Sequence, residues 1–462
     1  MRTEEATRET PGESPSAAPP PASAPSVPST VLALAVWAAL IVVAHLWGRW
    51  LLDAGHRLQL GVEEGAPPIV GDFDIRLGVR AVPAVALAVL GVAFGPRLAA
   101  HLGWTRLLLA AGAGALAWNV ALAFTDVGGI TGPMFLRGEY IRTVGDVGDL
   151  SDFLVHFTDR LAAYDTHVQS HPPGMVLILW AMDRLGLSGI DWASALVLVG
   201  GAAGIPAVLM TVRAVAGTAT ARTVAPFLVL SPAAVWMATT PDGTFMAVAA
   251  AGVALVATAG TRPPGRRSDL AAIAGGICGG AALMLSYGLA LMAPVAAAVA
   301  FTQRRWRPLL LAGAVAAAVV GSFTLVGVWW VEGLFATRIR YLDGVASRRP
   351  YSYFLVANLA AFAVVVGPAT AVALSRLWRL RSGLRRLRGL ACLVVGGLAA
   401  VAAADLSGLS KAEVERIWLP FAPWVLAATA VLSRGAPGRM RAWLGLQVGV
   451  ALAVQLGVRT PW

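Results

Sequence analysis

The sequence predicts an all-α polytopic membrane protein, a bundle of about 13 transmembrane helices with one large polar loop on a single face. Three observations predict it. The chain of 462 residues is 57% hydrophobic and 13% charged, with a mean hydropathy of +0.71, too apolar for a soluble domain. Its basic residues collect in short loops between apolar runs, so the net charge of +11 reports membrane topology and excludes nucleic acid as the expected partner. Between two apolar stretches lies one long polar segment, 125–173, that carries half of the six histidines (His156, His167, His171) and seven acidic side chains.

Residues 1–29 are rich in Pro, Ser, Ala, Glu and Thr without apolar periodicity, and they read as a disordered cytoplasmic tail that cannot bury enough surface to order itself. Residues 30–104 read as two N-terminal transmembrane helices with a loop between them. A core follows at 105–433 and a last helix at 434–462. After His-Pro-Pro-Gly at 171–174, apolar stretches recur at about 174–187, 191–212 and 223–240, and onward to 442–457. Fifteen arginines gather at 262–267, 304–307, 376–388 and 434–441, which puts those four loops inside and the loops at 125–173, 332–352 and 405–416 outside. That assignment demands an even number of crossings between 174 and 239, where three apolar stretches stand; one of them must be re-entrant or merged with its neighbour. Cys278 and Cys392 both lie in apolar runs, as small hydrophobes rather than a disulfide.

The polar loop is where acid/base chemistry can concentrate. Asp126 ends the third span at the membrane boundary, where a partly shielded carboxylate can serve as a general base; a helix-end aspartate satisfied by water and local N–H groups is the plainer account. Glu139 and Tyr140 follow in RGEYIRTV. Leu150, Phe153, Leu154, Phe157 and Leu161 recur at helical spacing, predicting an amphipathic helix in the outer interface. His167 and His171 are four apart, a spacing that admits a divalent metal on one helix face, although Pro172 and Pro173 oppose a helix there. No other cofactor is called for. Two prolines open the next helix at its first turn, so its positive dipole end points into the outer cavity. Asp242 sits in the outer turn TTPDG. Arg338, Arg340, Arg348 and Arg349 lie outside against the charge bias, as a phosphate or anionic headgroup would favour. Lys411 and Glu413 read as a solvated helix end, whereas Arg416 abuts an apolar run in ERIWLP.

Taken together, the acidic loop after a membrane helix, HPPG leading into LILWAMDRLGLSG, SPAAVWMATTPDGTF and ERIWLPFAPW resemble the GT-C membrane glycosyltransferases, nearest to the protein O-mannosyltransferase and aminoarabinose transferase branch. The resemblance covers about 105–433. It implies a GT-C-like bundle in the cytoplasmic membrane and transfer of a sugar from a polyprenyl-phosphate donor to a glycan, lipid or protein acceptor of the envelope. It further implies Asp126 or Glu139 as base and points to His171, Asp242 and Arg416; by their placement in the outer segments Tyr140, His167, Arg338, Arg340 and Lys411 join them as donor-binding candidates. Two departures stand out: Asp126 is followed by no adjacent acid, and two spans precede the loop-bearing core. A transporter or flippase of a lipid-linked or anionic precursor is the competing class, and it calls for ionisable groups near the midplane and internal repeats. A non-catalytic envelope scaffold would need no ordered motif set.

Overall fold

The computed structural model describes residues 27–60, 65–135, 139–379, 387–432 and 437–462; the call on the N-terminal tail falls almost wholly outside them. Among the described residues, nine helices are long and apolar enough to cross a membrane, running from Pro28–Asp53, Val79–His101 and Trp104–Ala123 through Ile190–Ala216, Pro241–Thr261 and Arg266–Leu285 to Arg307–Val326, Tyr351–Arg379 and Arg388–Ser407. Four more segments complete the return paths between them: Thr218–Val229, Tyr287–Gln303, the broken stretch 414–432, and Pro437–Gly457. With them the helical segments number 13, the count at which the sequence sets the spans.

The odd apolar stretch is resolved by Gly174–Arg184. With only eleven residues it packs on Tyr140–Asp146 of the polar loop, and its far end shares a cavity with Ile141, Val144 and Ala193. Both of its ends therefore stay on the loop face. The helix folds back without crossing, a geometry open to backbone buried in protein.

At the centre, Pro241–Thr261 packs against Ile190–Ala216 and Arg266–Leu285. Small residues set that contact: a Cβ on Gly201 or on Gly243 would lie 2.8 Å from the Met237 carbonyl, so neither position has room for a side chain. This close approach seats Pro241 in the first turn and holds Asp242 at the loop face. The two N-terminal helices belong to the same bundle. Val27–Asp53 lies along Tyr351–Arg379, with Trp37 Nε1 donating to the Ala363 carbonyl, and Val82–His101 packs on Thr218–Val229 and Pro437–Gly457. A two-stranded antiparallel sheet, β1 (Asp72–Phe73) with β2 (Val458–Arg459), ties the first loop to the end of the chain.

One element differs from expectation. In place of a single interfacial helix over 150–161, the chain forms Leu150–Val155, capped by the Asp149 carboxylate on the Asp152 N–H, then a turn at His156 and a short 3-10 segment at Leu161–Ala163. Phe153, Leu154, Phe157 and Leu161 are buried, and Phe157 stacks on Tyr164 at 5.4 Å. The apolar set packs on itself as a small aromatic core, which a continuous helix would have splayed along one line.

Candidate functional site

Four segments far apart in sequence meet at the loop-face end of the bundle: Glu139–Tyr140, His167–His171, Asp242 and Glu413–Arg416. Arg416 is the hub. Its Nη1 donates to Asp242 Oδ2 at 2.9 Å, and its Nη2 donates to Glu413 Oε2 at 2.7 Å and to His167 Nε2 at 2.9 Å. A guanidinium can only donate, so His167 Nε2 must accept, and the ring proton resides on Nδ1. That Nδ1 lies 2.9 Å from Glu139 Oε1. The hydrogen bonds thus run from imidazole through guanidinium to the carboxylates, with Glu139 in close contact with His167 but not aligned for a hydrogen bond, and the Arg416 side chain is only 5% exposed. Its Nε, buried as well, has no partner among the described residues.

Backbone strain holds the hub in place. Ala412 and Glu413 both adopt left-handed conformations, at φ 68° and 61°, each costing roughly 1 kcal/mol or more for a residue with a Cβ. Their surroundings over-determine the turn. Asn358 Oδ1 accepts from the Ala412 N–H, the Tyr341 hydroxyl accepts from the Lys411 N–H, and Arg349 donates to the carbonyls of Leu58, Gln59 and Lys411. Next in line, the Glu415 carboxylate accepts from the Val70 N–H at 2.9 Å.

The aromatic wall is built from the loop. Tyr140 contacts both His167 and His171, with ring centroids 6.2 and 6.0 Å apart, and His171 also meets Phe245. Burial, then the Asp242 and Glu139 charges, hold the Tyr140 phenol well above its ordinary value. His171 Nδ1 lies 2.8 Å from the His167 carbonyl, and burial pushes its pKa down to about 4, so it stays a neutral imidazole. The helix expected to be doubtful here is short: Thr166–Gln169 ends before His171.

Asp126 lies in an adjoining cavity of about 260 Å³ lined by Arg76, Gly128, Thr239, Gln455, Arg459 and Trp462 among others. It follows the third span directly because the chain turns sharply at Gly128–Gly129, where a Cβ on Gly129 would fall 2.1 Å from the Ala123 carbonyl. Its Oδ2 accepts from Arg76 Nη1 at 2.7 Å and its Oδ1 from the Val127 N–H. Trp462 joins the two regions, since its ring lines this cavity and also lies 4.6 Å from the Arg416 guanidinium.

The remaining candidates stand apart. Arg338 is exposed, Arg340 Nε donates to Gln169 Oε1 on the surface, and Lys411 Nζ donates to the Ala346 carbonyl. Among the described residues no three His, Cys, Asp or Glu side chains converge as a metal site would require; Glu139 and His167 contact one another, and His167 contacts Arg416. Sequence reasoning missed Arg76 and Trp462 as site residues, offered Arg349 to an anionic headgroup where it instead clamps backbone carbonyls, and read Glu413 as solvated. Only Glu413 carried a signal, its i,i+3 spacing to Arg416.

No family model matches the sequence, and a search of curated proteins returns no relative. Among solved structures, the chain is similar to ArnT from Cupriavidus metallidurans bound to undecaprenyl phosphate, at 17% identity and a TM-score of 0.44, over 66% of this chain and 61% of that one. The apo form of the same protein matches at 17% identity and 0.41, over 63% and 56%. An Archaeoglobus fulgidus oligosaccharyltransferase in complex with Zn and sulfate matches at 16% identity and 0.35, over 65% and 46%. The chain thus spans from 46% to 61% of the length of these proteins.

Proposed function

We propose that this chain is a membrane glycosyltransferase that moves a sugar from a polyprenyl-phosphate donor to an acceptor hydroxyl on the membrane face carrying the polar loop. The observation that carries the reading is the chain Glu139–His167–Arg416–Asp242, assembled from separate segments beside a polar cavity that holds a second carboxylate, Asp126. In this reading the acceptor oxygen attacks the anomeric carbon, the bond from that carbon to the phosphate oxygen breaks, and the lipid phosphate leaves with the bonding pair. Asp126 takes the acceptor proton, because its carboxylate borders the cavity whereas Glu139 is buried against His167. Arg416 faces the leaving phosphate through its unpartnered Nε–H, and Asp242 and Glu413 fix the guanidinium plane while charge develops. Arg338, Arg340 and Lys411 form a basic rim that draws the anionic donor in. A divalent metal remains compatible with His167 and His171 only if His167 gives up its bond to Arg416.

The competing transporter reading calls for charge near the midplane. Among the described residues the buried charged side chains are Glu139, Asp242, Arg349, Asp405, Glu415 and Arg416, all at the loop-face end. The deciding experiment incubates purified protein with a panel of radiolabelled polyprenyl-phosphate sugars and an envelope acceptor fraction. Labelled acceptor is the expected result. No transfer from any donor, together with facilitated efflux from liposomes, would replace the enzyme by the transporter.

A further inference from the structure

The stretch Phe73–Val79 alternates in an unusual sense. Asp72, Asp74 and Arg76 turn inward, while Phe73, Ile75, Leu77 and Val79 are 66%, 77%, 77% and 85% exposed. Hydrogen bonds to the backbone of Leu456 and Gly457, and the pairing of Asp72–Phe73 with Val458–Arg459, satisfy the inner edge of this strap. Its apolar edge runs without a break into the span Val79–His101, only 17% of which is buried inside the protein, so the strip continues a lipid-facing surface. Behind the strap lies the Asp126 cavity, whose charged lining is Arg76 and Arg459 against Asp126; next to it Arg80 donates to the Asp126 carbonyl, and Arg459 also lies 3.9 Å from Asp74. Arg76 uses both terminal nitrogens on Asp126 and on the carbonyls of Gln455 and Val458, yet its Nε is buried without a partner.

We infer that this strap is the lateral entrance for the lipid carrier: the prenyl chain lies along Phe73, Ile75 and Leu77, and its phosphate is met by Arg76, Arg80 and Arg459 at the cavity mouth. The inference rests on the glycosyltransferase reading for the identity of the lipid, but it adds a binding site built by segments outside the 105–433 core. An apolar strip bordering a net-basic cavity matches an amphiphile with an anionic head, and continuity with a lipid-facing helix favours an occupant that arrives through the membrane. Trp462 lines the cavity that the phosphate would enter and its ring lies 4.6 Å from the Arg416 guanidinium, so the entrance adjoins the hub.

The test measures binding, with no turnover required. Full-length protein in nanodiscs is titrated with a fluorescent polyprenyl phosphate, the matching polyprenol, and inorganic phosphate. Arg80→Glu with Arg459→Glu should raise the Kd for the polyprenyl phosphate at least about tenfold, and Ile75→Asn with Leu77→Asn several-fold, while Arg80→Lys with Arg459→Lys keeps most of the affinity. All four positions are exposed, so thermal stability should hold; if charge reversal lowers it, the Gln pair at 80 and 459 replaces it. Unchanged affinity in both sets, no binding to the wild type, or inorganic phosphate competing as well as the lipid would each overturn the entrance. Binding as expected without sugar transfer would instead sink the enzymatic reading and leave the entrance standing.

Discussion

The cluster around Arg416 and the cavity around Asp126 lie side of side under one loop, and they solve opposite problems. Around Arg416 the charges are buried against one another, with the guanidinium and the Asp242 carboxylate 5% and 6% exposed. Around Asp126 the charges border open space, and the carboxylate is 29% exposed. A buried ionic cluster cannot exchange partners cheaply, because any group left alone keeps its desolvation cost. It can hold a geometry. The open cavity cannot hold geometry as tightly, but it can admit a ligand and pass a proton. Under the proposed function, positioning and charge stabilisation fall to the first region and substrate contact to the second.

The most severe way to break that comparison is to put both regions on the wrong side of the membrane. With Cys278 and Cys392 replaced, an impermeant thiol reagent should label a cysteine at exposed Ser151 in intact cells, all or none. A cysteine at Ser382, which lies outside the described residues, should stay unlabelled. The reverse pattern would place the site against the arginine bias and dismantle the functional reading with it.

Next in size comes the hub itself. Arg416→Ala leaves Asp242, Glu413 and His167 facing one another without their cation, and breaking such a buried pair costs about 3–5 kcal/mol. Detergent-solubilised protein should melt at a clearly lower temperature and lose nearly all turnover. Arg416→Lys separates the two roles: it keeps the charge and loses the fork, so stability should largely recover while turnover stays about tenfold or more below wild type. Full activity in the lysine variant would make Arg416 a structural ion-pair partner only.

The cavity should respond differently. Asp126→Asn keeps size and much of the hydrogen bonding but removes basicity, so turnover should fall about 10²-fold or more with donor affinity and melting temperature nearly unchanged. Glu139→Gln should act through His167, lowering turnover less and stability more, because it weakens the carboxylate end of a buried chain. Near-normal turnover in Asp126→Asn with loss in Glu139→Gln would transfer the base to Glu139.

Much of this arrangement was legible because the relevant side chains are out of character for their surroundings. An arginine against an apolar run, an aspartate in the turn opening a membrane helix and two histidines beside a proline pair are each visible in one sequence, and the fold brings Arg416, Asp242, His167 and His171 together. Partners that act through the backbone were not legible. Arg349 clamps the carbonyls of Leu58, Gln59 and Lys411, up to 291 positions away, and no spacing rule marks such a contact. Arg76 and Trp462 escaped for a related reason: they come from outside the recognised core, delivered by a two-residue strand pairing that composition cannot signal. The failed helix over 150–161 shows a different limit, since a periodic apolar pattern cannot tell a membrane-facing stripe from a set that packs on its own aromatics.

The smallest effect, and the sharpest on the contrast between buried and open groups, is the pH dependence of stability carried by His171. Burial lowers its pKa from 6.5 to about 4, so the unfolded chain binds this proton more readily than the folded one. As pH falls below 6.5 toward 4, that difference costs stability, and the loss is complete only below the folded value. Between pH 7 and 4.5 the wild type should therefore lose more melting temperature than His171→Gln. A shift of one pKa unit corresponds to about 1.4 kcal/mol, so the difference amounts to a few degrees in a chain of this size. Melting curves for wild type and variant that stay parallel across this window would mean that His171 is solvated, and the buried character given to the Arg416 region would fail with it.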